Sequence, residues 1–190
     1  MAALFPQSFL FFPVPSLIET IKIPKERIAV LIGKNGAVKK ELEKLTEMKI
    51  EIDSKTGEVF IEPAKSNANF LSAAGIVKAI ARGFSPKNAL LLLDEEFYLE
   101  IIDVGEFGKT KKRQFSRKGR VIGAEGKIRT RIETETDTKI SVFGKTISII
   151  GKVEDAARAK KAVEMLLMGA RHAKIFEYLK ESSAGEKFEL

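Results

Sequence analysis

Ile32-Gly33-Lys34-Asn35-Gly36-Ala37-Val38-Lys39-Lys40-Glu41-Leu42-Glu43 decides the fold, because the stretch returns as Ile122-Gly123-Ala124-Glu125-Gly126-Lys127-Ile128-Arg129-Thr130-Arg131-Ile132-Glu133. The offset of ninety residues holds without a gap: Thr46 falls on Thr136, Lys49 on Lys139, Ile50 on Ile140 and Ile52 on Val142. One G-x-x-G is a weak pattern. Two copies, each followed by helical and then alternating apolar spacing, mark a duplicated domain.

Around the first copy, residues 17–23 read as a strand with Ile21 and Ile23 on its buried face, and Pro24 ends it ahead of a short helix over 25–31. Ala37 to Thr46 reads as a second helix with Val38, Leu42 and Leu45 on one side. Ile50 and Ile52 mark a strand, residues 53–57 a turn, and Val59 with Ile61 the returning strand, closed by Pro63. The spacing of Leu71, Ala74, Val77 and Ile80 predicts a helix from 66 to about 82, ending near Gly83.

The second copy runs in the same order: strand 97–103, a basic helical segment to 122, the loop, helix 127–136, strands 139–143 and 146–150 about a Gly144-Lys145 turn, and helix 154–168. Both units read β-α-α-β-β-α, and each is followed by a glycine and one more helical stretch, 86–93 and 171–180. The acidic cluster Asp94-Glu95-Glu96 is the expected join. The expected organisation is an apolar arm over 1–16, a first domain over 17–93, a second over 94–180 and a polar tail over 181–190.

Composition narrows the class of partner. The chain of 190 residues holds 33 Lys plus Arg against 26 Asp plus Glu, for a formal charge of +7, which suits a polyanion. It has no cysteine, excluding disulfides and thiolate chemistry, and its 31% charged fraction resembles that of a heat-adapted protein. Leu4, Phe5, Phe9, Leu10, Phe11, Phe12 and Val14 imitate an export signal, but Pro6, Pro13 and Pro15 interrupt a run too short to span a bilayer. No targeting signal, no membrane and a cytoplasmic location are expected. His172 stands alone, and no P-loop, Ser/His/Asp set or carboxylate cluster at metal-ligand spacing is present, so no catalytic residue, metal or cofactor is expected.

A glycine pair between helices turns the chain sharply and leaves no Cβ to hold a ligand backbone away. The following helix aims its unpaired amides and positive dipole end at the same place, where a phosphodiester fits. Lys34, Asn35, Lys39 and Lys40 surround the first loop. The second contains Ala124 and Glu125 but lies in a tract of ten cations, Lys109, Lys111, Lys112, Arg113, Arg117, Lys118, Arg120, Lys127, Arg129 and Arg131, against Glu125 alone. Four phosphate contacts there would give a log-log salt slope of about 3 to 4. Ile32, Ile122, Ile128 and Val142 belong to the core first and to the floor beneath a base second.

Units of this order with I-G-x-x-G between the first two helices resemble tandem type I KH domains over roughly residues 17–168. The resemblance implies an α+β fold, each unit an antiparallel three-stranded sheet packed by helices, binding about four unpaired bases beside the loop. It also implies that Gly33, Lys34, Asn35 and Gly36 clamp in the first repeat and Gly123, Ala124, Glu125 and Gly126 in the second. More narrowly, Gly119-Arg120-Val121-Ile122-Gly123, the pair of strands from Val142 to Gly151, Glu164 to Ala170 and the closing helix through Tyr178 resemble the archaeal relatives of the KH-domain partner of the Nob endonuclease. That family implies single-stranded RNA as ligand, the 3′ region of small-subunit ribosomal RNA in particular. It implies a Nob-type endonuclease and the pre-ribosomal particle as partners, and a platform instead of a catalyst. An RNA regulator, a subunit of an RNA-degrading complex and a protein scaffold are the alternatives.

Two positions depart from the family pattern. Lys39 and Arg129 stand where an apolar residue is usual, and Glu125 enters the second loop. Arg117, Lys118, Arg120, Lys127 and Arg129 are expected to offset that carboxylate, with Lys112 and Arg113 also in the RNA-binding set, and the second repeat is expected to be the stronger binder.

Overall fold

The computed structural model describes residues 18–64 and 68–185, with side chains to residue 182; the arm at 1–16 lies outside the described residues. The first unit contains β1 (Glu19–Lys22), α1 (Lys25–Ile32), α2 (Ala37–Thr46), β2 (Met48–Asp53), β3 (Glu58–Pro63), α3 (Phe70–Ala81) and the short α4 (Pro86–Ala89) with a 3-10 turn at Leu90–Leu93. The second contains β4 (Phe97–Asp103), α5 (Lys111–Ile122), α6 (Lys127–Glu135), β5 (Lys139–Phe143), β6 (Thr146–Lys152), α7 (Val153–Met168) and α8 (His172–Gly185). Each forms an antiparallel three-stranded sheet, ordered β1-β3-β2 and β4-β6-β5, packed by helices. The last strand of each sheet lies in the middle, leaving β2 and β5 as edges beside α2 and α6.

Apolar spacing explains most of the packing. Ile28 and Leu31 of α1, Leu42 of α2, Ile50 of β2 and Ile61 of β3 meet Ile76, Val77 and Ile80 of α3 in one core. Val121, Ile132, Ile140, Ile147 and Ile149 meet Val163, Leu166 and Leu167 in the other, which α8 completes with Ile175 and Leu179. Two expectations need correction. Leu71 is 82% exposed, because α3 starts at Phe70 and turns that larger ring inward with Ala73, Ala74, Val77 and Ile80. The closing helix does not stop at 180 but continues to Gly185.

The two sheets are covered differently. In the first, β3 alternates buried Val59 and Ile61 with exposed Phe60, so its outer face meets solvent. In the second, Thr146 to Gly151 of β6 are all buried. The first unit lies over that sheet: Ile150 belongs to the first core, Phe97 and Leu99 pack against the same cluster, Ser141 Oγ donates to the Arg82 carbonyl at 2.9 Å, and the Arg27 guanidinium sits 5.7 Å over the Phe143 ring. Truncating a fully buried Ile of this kind typically costs about 2–5 kcal/mol.

Candidate nucleic-acid interface

The two bends are copies in backbone as well as in sequence. Gly33 has φ 72 and ψ 176 against 71 and 177 for Gly123, Asn35 has 53 and 28 against 53 and 25 for Glu125, and Gly36 has 76 and 14 against 77 and 6 for Gly126. The glycines of each pair have different tasks. A Cβ on Gly33 would fall 2.4 Å from Val38 Cγ2 and one on Gly123 2.3 Å from Ile128 Cγ1, so the first glycine lets the next helix pack against the bend. A Cβ on Gly36 or Gly126 would meet nothing nearer than 4.0 Å, so the second glycine faces open space. It is also the N-cap of α2 or α6, and no side chain caps either helix; the amides of Gly36, Ala37, Gly126 and Lys127 donate to carbonyls within the bends, so an anion there would meet the amides that follow.

Charge gathers at these mouths unevenly. Lys34 and Asn35 are exposed in the first bend, and Lys39 leans on Glu43 at 3.4 Å. In the second, Ala124 is exposed and Lys127 lies 3.1 Å from Glu125; with both side chains this exposed the ion pair is worth little, but it sets a cation beside the unfavourable carboxylate. Arg129 has Nη2 over Gly126, and its Nε is buried with no hydrogen-bond partner, 3.7 Å from Glu133. Lys118 reaches across to the β5–β6 turn, donating from Nζ to the Gly144 carbonyl at 2.8 Å. That bond ties α5 to the β5–β6 turn. Ile128 and Val142 lie half-buried on the second core, as Ile32 and Val38 do on the first.

The rest of the basic tract divides by helix face. Lys112 and Arg113 are exposed, and Arg113, Arg117 and Arg120 lie on the side of α5 opposite Ile122, around a hollow of about 510 Å³ with Phe107 and Ser116. Arg120 donates from Nε to the Leu166 carbonyl and from Nη2 to the Ala170 carbonyl, and Arg117 lies against Gly169. Both cations thus sit at the negative end of α7, where the last carbonyls attract them, Leu166's accepting from the Gly169 amide as well. Arg27 does the same for α3, donating to the carbonyls of Ile80 and Phe84, and its burial lowers its pKa against the attraction of Glu26.

A pair of carboxylates that sequence alone does not single out also shapes the site. Glu43 Oε1 accepts from the Ile50 amide at 3.0 Å, and Glu133 Oε1 from the Ile140 amide at 2.7 Å. Each ties the helix after the bend to its edge strand. Their exact coincidence at the ninety-residue offset was the available signal. Among the described residues no group of His, Cys, Asp and Glu could hold a metal, and no helix is long and apolar enough to cross a membrane.

Paired three-stranded sheets, each with a glycine bend between its first two helices, define a tandem KH architecture. Residues 98–184 match the eukaryotic-type KH domain (KH-domain type I), and residues 18–69 match the KH domain. A KH domain-containing protein of Methanocaldococcus jannaschii is 47% identical over 165 residues, which span 85% of this chain and 72% of that protein. The RNA-binding protein pno1 of Dictyostelium discoideum is 29% identical over 95% of this chain and 77% of its own. A chain in the crystal structure of an a/eIF2alpha–aDim2p–rRNA complex from Pyrococcus horikoshii aligns with a TM-score of 0.84 at 42% identity, over 94% of this chain and 98% of that one. The chain belongs to the KH-domain family, among proteins named PNO1 and Dim2.

Proposed function

We propose that this protein binds single-stranded RNA in ribosomal RNA processing, holding the 3′ region of small-subunit ribosomal RNA in the cytoplasm without cutting it. It acts as a platform on the pre-ribosomal particle for a Nob-type endonuclease. The observation that carries the binding reading is the matched pair of bends, each with an open second glycine at an uncapped helix N-terminus. Cations at both mouths support it, as does the ribosomal RNA in the complex of the Pyrococcus relative. The RNA-contacting set we assign is Gly33, Lys34, Asn35, Gly36 and Lys39 in the first repeat and Lys118, Gly123, Ala124, Glu125, Gly126, Lys127 and Arg129 in the second. Lys112 and Arg113 supply longer-range attraction, while Arg117 and Arg120 chiefly hold the end of α7.

The test is footprinting on a small-subunit ribosomal RNA 3′ fragment with the wild-type chain and with Gly36→Asp and Gly126→Asp. Each substitution adds a carboxylate where the phosphate would lie and leaves the core untouched. Protection should weaken with each variant and be lost with both. Undiminished protection by the double variant overturns the reading. Adding the nuclease tests the platform role: its cut should become faster or more uniform with the protein present, and an unchanged cut refutes that part alone.

A further inference from the structure

The α5 helix is longer than its counterpart in the first repeat, 12 residues against 8, and just past the added turn, where the first repeat has Lys25, it carries an aromatic ring with no structural task. Phe115 is 76% exposed and belongs to neither core cluster. At 100° per residue it lies about 20° from Ile122 on the helix surface and about 10.5 Å along the axis from it. Lys111, Lys118 and Gly119 fall within about 60° of the same line. Lys118 on this side reaches the β5–β6 turn, so the line runs outward from the bend along the side of α5 next to that turn.

Gly119 is a second, independent sign. It lies within a helix without a positive φ, and a Cβ there would meet nothing within 4 Å, so neither backbone nor packing requires glycine. A mid-helix glycine weakens a helix relative to alanine. What it does provide is a bare surface one turn from Phe115, with Lys111 and Lys118 beside it and no acidic residue anywhere on α5. At the ninety-residue offset the first repeat has Lys25 and Ala29 at these places, so it has neither ring nor gap.

We infer that Phe115 is a stacking platform for an unpaired RNA base lying beyond the bend and groove of the second repeat, with Gly119 giving that nucleotide room and Lys111 and Lys118 holding its phosphates. The second repeat thereby takes a longer stretch of RNA than the first. This rests on the RNA-binding reading above. Stacking suits the geometry because a ring standing free among cations presents its face to any base, with little demand on sequence.

The test uses the full chain and fluorescein-labelled oligoadenylates of five and nine nucleotides, titrated by anisotropy. Phe115→Ala should weaken the nine-nucleotide complex about 5- to 100-fold and leave the five-nucleotide complex and the melting temperature unchanged. The chain contains no tryptophan, so Phe115→Trp installs a single emitter that should keep affinity and be quenched by the longer oligonucleotide. Equal effects of Phe115→Ala on both lengths, no effect on either, or no quenching overturn the inference while leaving RNA binding standing. Failure of the wild-type chain to bind either oligonucleotide removes the RNA reading and the inference with it.

Discussion

Replacing Gly123 and Gly126 separately by alanine should give unequal losses of stability, because the two glycines of a bend exist for different reasons. Gly123, at φ 71 and ψ 177, occupies a region reserved for glycine, where another residue costs of order 1–3 kcal/mol. Its new Cβ would also fall 2.3 Å from Ile128 Cγ1 and 3.0 Å from the Ile128 amide nitrogen. The side chain can turn aside, but the amide is backbone at the start of α6, and overpacking of this kind adds about 1–3 kcal/mol. Gly126, at φ 77 and ψ 6, is in the left-handed helical region, where alanine costs roughly 1 kcal/mol, and the nearest atom to its Cβ is Arg129 Nη2 at 4.0 Å. The sums are about 2–6 kcal/mol for Gly123→Ala and about 1 for Gly126→Ala. At roughly 2–4 °C per kcal/mol for a chain of this size, the midpoint should fall by about 4–24 °C in the first and about 2–4 °C in the second. Calorimetry or circular dichroism on the two proteins reads the difference. Equal midpoints would refute the division of labour, and with it the use of Gly126→Asp as a probe of binding without unfolding.

Glu125→Asn should raise stability by about 0.5–1 kcal/mol, since asparagine tolerates the left-handed conformation that Asn35 already holds in the first bend. It should also tighten RNA binding by removing a carboxylate from the mouth; weaker binding would contradict the phosphate assignment. Arg120→Ala should cost about 1–3 kcal/mol in denaturant unfolding by removing the guanidinium from the Ala170 carbonyl and leaving the Leu166 carbonyl with the Gly169 amide alone, and Arg27→Ala about as much. An unchanged midpoint for Arg120→Ala would return that cation to the RNA-facing set. Glu133→Ala should cost about 1–2 kcal/mol and raise hydrogen exchange at the Ile140 amide it now holds; slow exchange there would show that another acceptor serves. In RNA titrations against salt, Lys127→Ala with Arg129→Ala should lower the log-log slope by about 1 to 2, and Arg113→Ala by less than 1.

Much of this molecule is local, and local features are legible in one dimension. The boundaries of α2, β4 and β5 and the place of both bends follow from apolar period and glycine spacing, because helix and strand geometry depend on neighbours a few residues away. The burial of Phe70 in place of Leu71 was not legible: both fit a helical stripe, and only the helix start decides which faces inward. The cations divided in the same way. Their number was plain, but which of them would hold the end of a helix depended on chain far off in sequence.

The amino-acid sequence by itself settled the duplication, the order of elements and the two glycine bends, since φ and side-chain periodicity are properties of short segments. Tertiary structure alone decided that Arg120 closes the end of α7 across separations of 46 and 50 residues, and that the first unit covers the outer face of the second sheet through Ile150. Those outcomes turn on which surfaces come together in space. A guanidinium or an isoleucine has the same chemistry on any face, and only the packing selects its partner.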